Sequence, residues 1–586
     1  MRFASGFAFA MLSALVCDDV TRGQGRMPRD DSSMAARMAA AGIVATGFFG
    51  GVAAAADQTN LVPNTGINGP VLRFDWPAIE IGIGAYEEGP TGVTVIRFPR
   101  RASVVVDVRG GAPGTVNTDL LRLGYGRPFT DAIVFSGGSA YGEETITAVA
   151  TGLKDDGIRS GEFSEVAVVP GAIIYDFGGR RFNEIYPDKR LAQAALHALQ
   201  PGVFPQGAQG AGRMAMQGSY FGCDAHSGQG GAFRQVGATK IAAFAVVNAA
   251  GAVTDRNGRL VACNKAKSWG NLATTSELLR NLPQSLAPDW KADAAPDGGG
   301  TKNTTISLIV TNQKLDPASL QRLAIQVHTS MARAIQPFST QNDGDTLYAA
   351  STQEVDNNEL SAINLATIAG ETMWDAVLAS IPDNAISARP GEQPVAVSAD
   401  TLAAYAGTYE FGALPTGAFG GLGLDIRVED GQFKIAPIAG LPAARAGILA
   451  GDVVTHVNGA PLKGLPINSV VGKLRGPPGS KAVLTIARNG QDQPIEITVV
   501  REKLALRALL RVKVEGGGLS VEAIGGRRVF DFEGSKPAPV SALSNTEFYV
   551  DGRFATRIAF TIDPTGKVSG AVLNPGRWEQ KGVKIE

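Results

Sequence analysis

An α/β fold with a separate C-terminal part is what this sequence predicts, on three observations. Short apolar or β-branched runs at 93–96, 103–108, 132–135, 166–169 and 242–247 are bounded by Gly or Pro, the pattern of buried strands. Helical spacing of apolar residues over 189–199, 317–335 and 357–381 supplies the layers that cover such strands. Residues 382–394, rich in Pro and polar side chains, then read as a linker beyond which the chain changes character. The expected division is a leader over 1–56, an α/β domain over 57–380, a linker over 381–397, and a C-terminal part beyond it.

At 586 residues the chain exceeds what one core organises, so roughly two to four domains are expected. Charges nearly cancel, with 54 Lys and Arg against 55 Asp and Glu, and no basic run offers nucleic acid a reason to bind. Only His197, His226, His328 and His456 occur, none in a metal-ligand spacing. Neither a metal centre, nor a cofactor, nor a histidine-based triad is therefore expected. Cys17 falls in the leader, and Cys223 and Cys263 are either one bridge or two buried thiols.

Residues 1–56 do not read as fold. After Met34 come Arg37, an apolar run through Gly51, and Ala53-Ala54-Ala55-Ala56 before Asp57, the order of a secretory signal, with Met34 as an alternative start. The apolar run is shorter than the roughly 20 residues of a membrane span. Export is expected, to the periplasm or beyond, with a mature start near Asp57 and no span retained.

The chemistry points to two segments, Asn303-Thr304-Thr305-Ile306 at the start of a strand-like run and Asn342-Asp343-Gly344-Asp345-Thr346 one helix-length later. A threonine hydroxyl is a weak nucleophile without a base beside it, and a chain-terminal threonine carries its own in an α-amine with a pKa near 8. Cleavage of the Asn303–Thr304 peptide would create that residue. Read alone, the aspartate cluster is a solvated turn, and Ser139 in Gly137-Gly138-Ser139-Ala140-Tyr141 is a strand-to-helix turn lacking the last glycine of a nucleophile elbow.

Together with Ser136-Gly137-Gly138-Ser139-Ala140-Tyr141-Gly142, Pro170-Gly171-Ala172-Ile173-Ile174-Tyr175-Asp176 and Ala245-Val246-Val247-Asn248-Ala249, these segments resemble the L-aminopeptidase/D-esterase, β-aminopeptidase and nylon-oligomer hydrolase family over about 62–380. Thr at the cleavage point and two aspartates in the later cluster make the chain most similar to the nylon-oligomer hydrolase branch. The resemblance implies a four-layered αββα sandwich that cleaves itself, with an α chain ending at Asn303 and a β chain starting at the nucleophile Thr304. It further implies Asn248 as oxyanion donor, Asp343 and Asp345 as groups orienting the Thr304 amine and hydroxyl, Tyr175 as a pocket residue, and a homo-oligomer. Bland roles compete: Asn248 as a turn residue before Gly251, and Tyr175 as a core aromatic. One departure is Gln229-Gly230-Gly231, where many relatives carry a lysine before the glycine pair.

Beyond the linker, Gly421-Leu422-Gly423-Leu424, Ala443 to Val454, Val457-Asn458-Gly459 and Val471 to Gly476 resemble, in order, a bacterial PDZ domain over 417–503. The glycine loop 421–424 and a strand edge beside a helix at 468–475 are expected to take a peptide C-terminus. The flanks 398–416 and 504–586 look like one small β domain of the kind appended to serine hydrolases, with the PDZ domain inserted in it. The activity expected is an aminopeptidase on peptides or small amides. Its close rival is endo-type hydrolysis of linear amides, and its rival from another class is a silent peptide-binding adaptor.

Overall fold

The computed structural model describes residues 58–585 except 126–128, 178–179, 222–224, 263–273, 281–302, 357–359, 382–394, 416–419, 430, 439, 525–536, 551–555 and 575–578. The expected leader, the core of the expected linker, and Cys17, Cys223 and Cys263 lie outside the described residues.

In chain order the first part contains β1 (Glu80–Tyr86), β2 (Thr91–Val108), β3 (Phe129–Ser136), α1 (Glu144–Asp155), β4 (Gly171–Ile173), α2 (Lys189–His197), β5 (Gln229–Val236) and β6 (Thr239–Asn248). It continues with β7 (Thr304–Gln313), α3 (Pro317–Ser330), β8 (Thr346–Val355) and α4 (Ala362–Ala379). The long strand β2 joins the two leaves of one continuous ten-stranded sheet. Its first stretch pairs with β1 and β3, its last six residues pair with β8, and the register slips between Arg97 and Ala102, where Arg101 has φ 59°. An irregularity of this kind bends a strand. The second leaf runs β5-β6-β7-β8-β2, with β7 and β8 parallel.

Because side chains alternate across a strand, each leaf has an inner and an outer apolar face. Inner residues Ile81, Ile96 and Phe135 meet Phe244, Leu308 and Tyr348 in one core between the leaves. Outward, Val95 and Val134 pack on Val149 of α1 and Leu191 of α2, while Ala243 and Ile309 pack on Leu323 of α3 and Met373 of α4. Four layers result, αββα, as the resemblance implied. Strands buried on both faces read as near-continuous apolar runs, which is why they stood out in the sequence.

Two expected strands, 93–96 and 103–108, are one strand. The strand expected at 166–169 does not form; Val168 is instead held beside β3 by its N–H to Asp131 Oδ2 (2.8 Å), and pairing begins only after Pro170, which has no N–H to give. The expected helix 317–335 ends at Ser330 and tightens into a 3₁₀ turn over Met331–Arg333, and that of 357–381 starts at Ala362, capped by Ser361.

The second part contains α5 (Ala399–Tyr405), β9 (Gly407–Pro415), β10 (Leu424–Glu429), β11 (Gln432–Pro437), β12 (Asp452–Val457), α6 (Ile467–Leu474), β13 (Lys481–Ala487), β14 (Ile495–Val500) and β15 (Ala505–Glu515). It ends with β16 (Gly518–Ile524), β17 (Ala538–Ala542), β18 (Glu547–Val550), β19 (Thr556–Ile562), β20 (Val568–Leu573) and β21 (Gln580–Lys584). Strand β9 pairs with β15 and β21, which closes an eight-stranded barrel filled by aromatic side chains, Tyr405 stacking on Phe560 at 4.1 Å. Between β9 and β15 the chain forms a separate sheet in the order β10-β11-β12-β13-β14 with its own core. Full closure leaves the barrel no open edge.

Candidate active site

Thr304 opens β7, and its register partner on β6 is Asn248. The chain is continuous through Asn303, and Thr304 Oγ1 donates to the Asn303 carbonyl oxygen at 2.5 Å. The same oxygen accepts the Gly344 N–H at 2.8 Å. Gly344 is a close approach: a Cβ there would stand 2.7 Å from Thr304 Oγ1 and 2.8 Å from the Ala112 carbonyl oxygen. The hydroxyl and a fixed N–H donor thus converge on one peptide carbonyl, and Thr304 is 2% exposed.

Asp345 Oδ1 accepts the Thr305 N–H (2.7 Å) and Oδ2 the Ser339 N–H (2.8 Å). Asp343 accepts the Ala250 N–H (3.1 Å) and the Thr340 hydroxyl (2.6 Å). Both carboxyls are pushed up by burial, Asp345 to about 7 with the negative charge of Asp343 adding to the effect. Among the described residues no Lys, Arg or His forms an ion pair with either. The loop that carries them is clamped by β2 and its continuation, since Arg109 N and Gly110 N donate to the Asp345 carbonyl and Ala112 N to that of Asp343.

The Asn248 side chain is oriented at both ends, its Oδ1 accepting from Met216 N and its Nδ2 donating to the Tyr175 carbonyl, each at 3.1 Å. One Nδ2 hydrogen remains for another acceptor. Tyr175 enters through its backbone, and its ring lies 5.9 Å from that of Phe177. Asn303, Thr304, Asn248, Asp343, Asp345 and Tyr175 are therefore one constellation. Gln229 is not part of it: the buried amide accepts from Thr94 Oγ1 and donates to the Pro205 carbonyl, both at 2.7 Å. Ser139 starts a 3₁₀ turn between β3 and α1, and its hydroxyl accepts the Phe177 N–H.

Sequence reasoning missed Gly344 as a donor and the backbone groups of Met216 and Tyr175 that hold Asn248. For Gly344 a signal existed, a residue without a side chain between two acids. For Met216 and Tyr175 there was none, because a backbone donor or acceptor has no identity in sequence.

In the sheet β10–β14, the glycine loop lies where it was expected, but Gly421 is not available to a ligand. Its N–H donates to the Glu502 carbonyl at 2.9 Å, so the expected carboxylate contact narrows to Leu422, Gly423 and Leu424. Gly423 has φ +73°, and a Cβ there would meet Leu441 Cβ at 2.3 Å, which only glycine avoids. Strand β10 is an edge of its sheet.

Comparison with known proteins gives a PDZ domain over residues 436–488. A 6-aminohexanoate-oligomer endohydrolase of Paenarthrobacter ureafaciens is 40% identical over 333 residues, 55% of this chain and 89% of the relative. An uncharacterized aminopeptidase of Mycobacterium tuberculosis (strain ATCC 25618 / H37Rv) is 35% identical over 268 residues, 45% of this chain and 74% of the relative. The pattern of Peptidase family S58 matches residues 74–389, more than half of the chain and the whole of the region that builds the Thr304 constellation. The chain is an amide hydrolase that belongs to Peptidase family S58.

Proposed function

We propose that this is an exported, self-processing hydrolase in which Thr304 serves twice. First, Thr304 Oγ1 attacks the Asn303 carbonyl carbon, the new C–O bond forms as the C–N bond breaks, and the hydroxyl proton passes to the departing Thr304 nitrogen. Water then hydrolyses the ester, leaving an Asn303 carboxylate and a free Thr304 amine. The observation that carries the reading is the pair of contacts on one carbonyl oxygen, the Thr304 hydroxyl at 2.5 Å and the Gly344 N–H at 2.8 Å. A fixed donor aimed at a developing oxyanion is the strongest single aid to acyl transfer.

Second, the freed hydroxyl, with the amine as its base, attacks an incoming amide while Asn248 Nδ2 donates to the oxyanion, and water releases the acyl group. Asp343 and Asp345 hold the new ammonium and hydroxyl. Endo-type hydrolysis of uncharged linear amides is the better-supported specificity, ahead of the aminopeptidase first expected. An aminopeptidase needs an acceptor for the substrate's ammonium, and in this reading the two buried carboxylates bordering Thr304 are taken by the Thr304 ammonium itself. The 40%-identical relative is likewise named an endohydrolase. The PDZ domain would bind peptide chains by their C-termini.

The test is a denaturing gel with N-terminal sequencing of the purified protein, beside hydrolysis of a linear 6-aminohexanoate oligomer and an aminoacyl anilide. Two fragments are expected, one beginning Thr-Thr-Ile-Ser, with product patterns showing internal cuts. A single intact chain that hydrolyses amides would defeat the proposal.

A further inference from the structure

Four aromatic rings lead away from the constellation without a break. Tyr175, whose carbonyl holds Asn248, lies 5.9 Å ring to ring from Phe177, Phe177 lies 5.8 Å from Tyr141, and Tyr141 lies 5.7 Å from Tyr186. Tyr141 is 62% exposed, far more than a core aromatic, while Tyr175, Phe177 and Tyr186 are partly buried. The strip is held from below. The Arg180 guanidinium sits 4.6 Å from the Phe177 ring centre, is itself 1% exposed, donates to the Ile185 carbonyl at 3.0 Å, and faces Asp176 at 3.8 Å. Asp176 is fixed in turn by the Gly138 N–H at 2.9 Å.

We infer that this strip is the subsite for the non-reacting part of an extended, uncharged amide chain, and that Phe177, Tyr141 and Tyr186 set the preference for long substrates over short ones. The inference rests on the proposed chemistry at Thr304 and names the substrate class that the site selects. Three features choose this occupant. The strip starts at Tyr175, whose carbonyl holds Asn248, so it adjoins the constellation that contains Thr304. The rings carry no formal charge, which suits methylenes and flat amide planes. Its length, three ring-to-ring steps, accommodates up to roughly five residues of extended chain. Binding energy collected at such a distance from the reacting bond appears as a dependence of kcat/KM on chain length.

The experiment measures kcat/KM of the processed protein on linear 6-aminohexanoate oligomers from dimer to hexamer, and on oligoalanines of the same range, for the wild type, Tyr141→Ala and Phe177→Leu. In the wild type kcat/KM is expected to rise with length. Each substitution should lower the hexamer-to-dimer ratio by about five-fold, the size of one aromatic contact, mainly through KM. The exposed position of Tyr141 keeps that variant foldable, and its two-fragment pattern on a gel checks this. A wild type that does not prefer hexamer to dimer, or substitutions that lower both substrates equally, would overturn the subsite. Thr304→Ala measured alongside separates the two claims: a Thr304→Ala protein that still hydrolyses the hexamer defeats the nucleophile, whereas the length ratio reports on the strip.

Discussion

Two acidic sites lie at the ends of neighbouring strands and behave in opposite ways. Asp107, near the end of β2, sits across from Leu347 of β8, and Asp343 and Asp345 lie just before β8 begins. Burial would raise Asp107 as well, but the His328 ring at 2.9 Å and the Arg109 guanidinium at 2.6 Å outweigh it and hold its carboxyl below the ordinary range. Among the described residues Asp343 and Asp345 receive backbone N–H groups and hydroxyls, and are held above it. A carboxylate given a guanidinium and an imidazole partner is a finished structural contact. A pair that has no cation among the described residues is poised to receive a positive charge, and the ammonium released at Thr304 is the charge that proposed cleavage would supply.

The comparison breaks most directly at Thr304. Thr304→Ala should leave one intact chain and lower amide hydrolysis by about 10³-fold or more, read by gel and product assay; two fragments in this variant would show that the acids serve some other residue. Next come the acids. Asp345→Asn should slow both fragment formation and turnover by about 10²-fold or more, whereas Asp107→Asn should change turnover by less than about three-fold and show instead as a loss of about 1–3 kcal/mol in urea unfolding. If the two substitutions had equal effects on turnover, the division between catalytic and structural acids would be lost. Smaller still is Gly344→Ala, which keeps the N–H but pushes a methyl group against Thr304 Oγ1 and the Ala112 carbonyl. Fragment formation is expected to slow by about ten-fold, measured as a time course after expression of the precursor.

How much of this was legible differs between backbone and site. That the sheets are buried under helices followed from the apolar runs of β2, β3, β6 and β7, because strands buried on both faces leave no polar alternation to confuse with a helix, whereas the four-layer order came from the family resemblance. The bend that makes β2 one strand shared by two leaves was not legible, since it depends on Arg101 taking a left-handed conformation that sequence does not announce. At the site, the grouping of Thr304 with Asp343 and Asp345 was anticipated through the family resemblance, since the aspartate cluster read alone is a solvated turn. What Asn248 touches, and that Gly421 is tied to Glu502, were not legible, because the partners are backbone groups brought close by folding.

The smallest effect is also the one that tests the electrostatics without catalysis. In the Thr304→Ala chain no ammonium forms, so Asp345 keeps its raised value of about 7. Between the ordinary aspartate value of about 4 and that value, the folded state holds a proton that the unfolded state has lost. The contribution of Asp345 is therefore fully present below about pH 4 and declines as pH rises toward 7. Asp107, lowered in the fold, contributes stability above about pH 4 that is lost as pH falls through its folded value, and buried His328, lowered by burial, adds stability above about pH 6.5 that is lost on acidification. Urea midpoints of Thr304→Ala with and without Asp345→Asn should thus diverge in favour of the double variant from pH 4 to 7. Adding Asp107→Asn to Thr304→Ala should instead flatten the acid limb. Parallel curves for the Asp345 pair would mean that the buried acids are already compensated in the precursor, and the contrast between the two sites would rest on geometry alone.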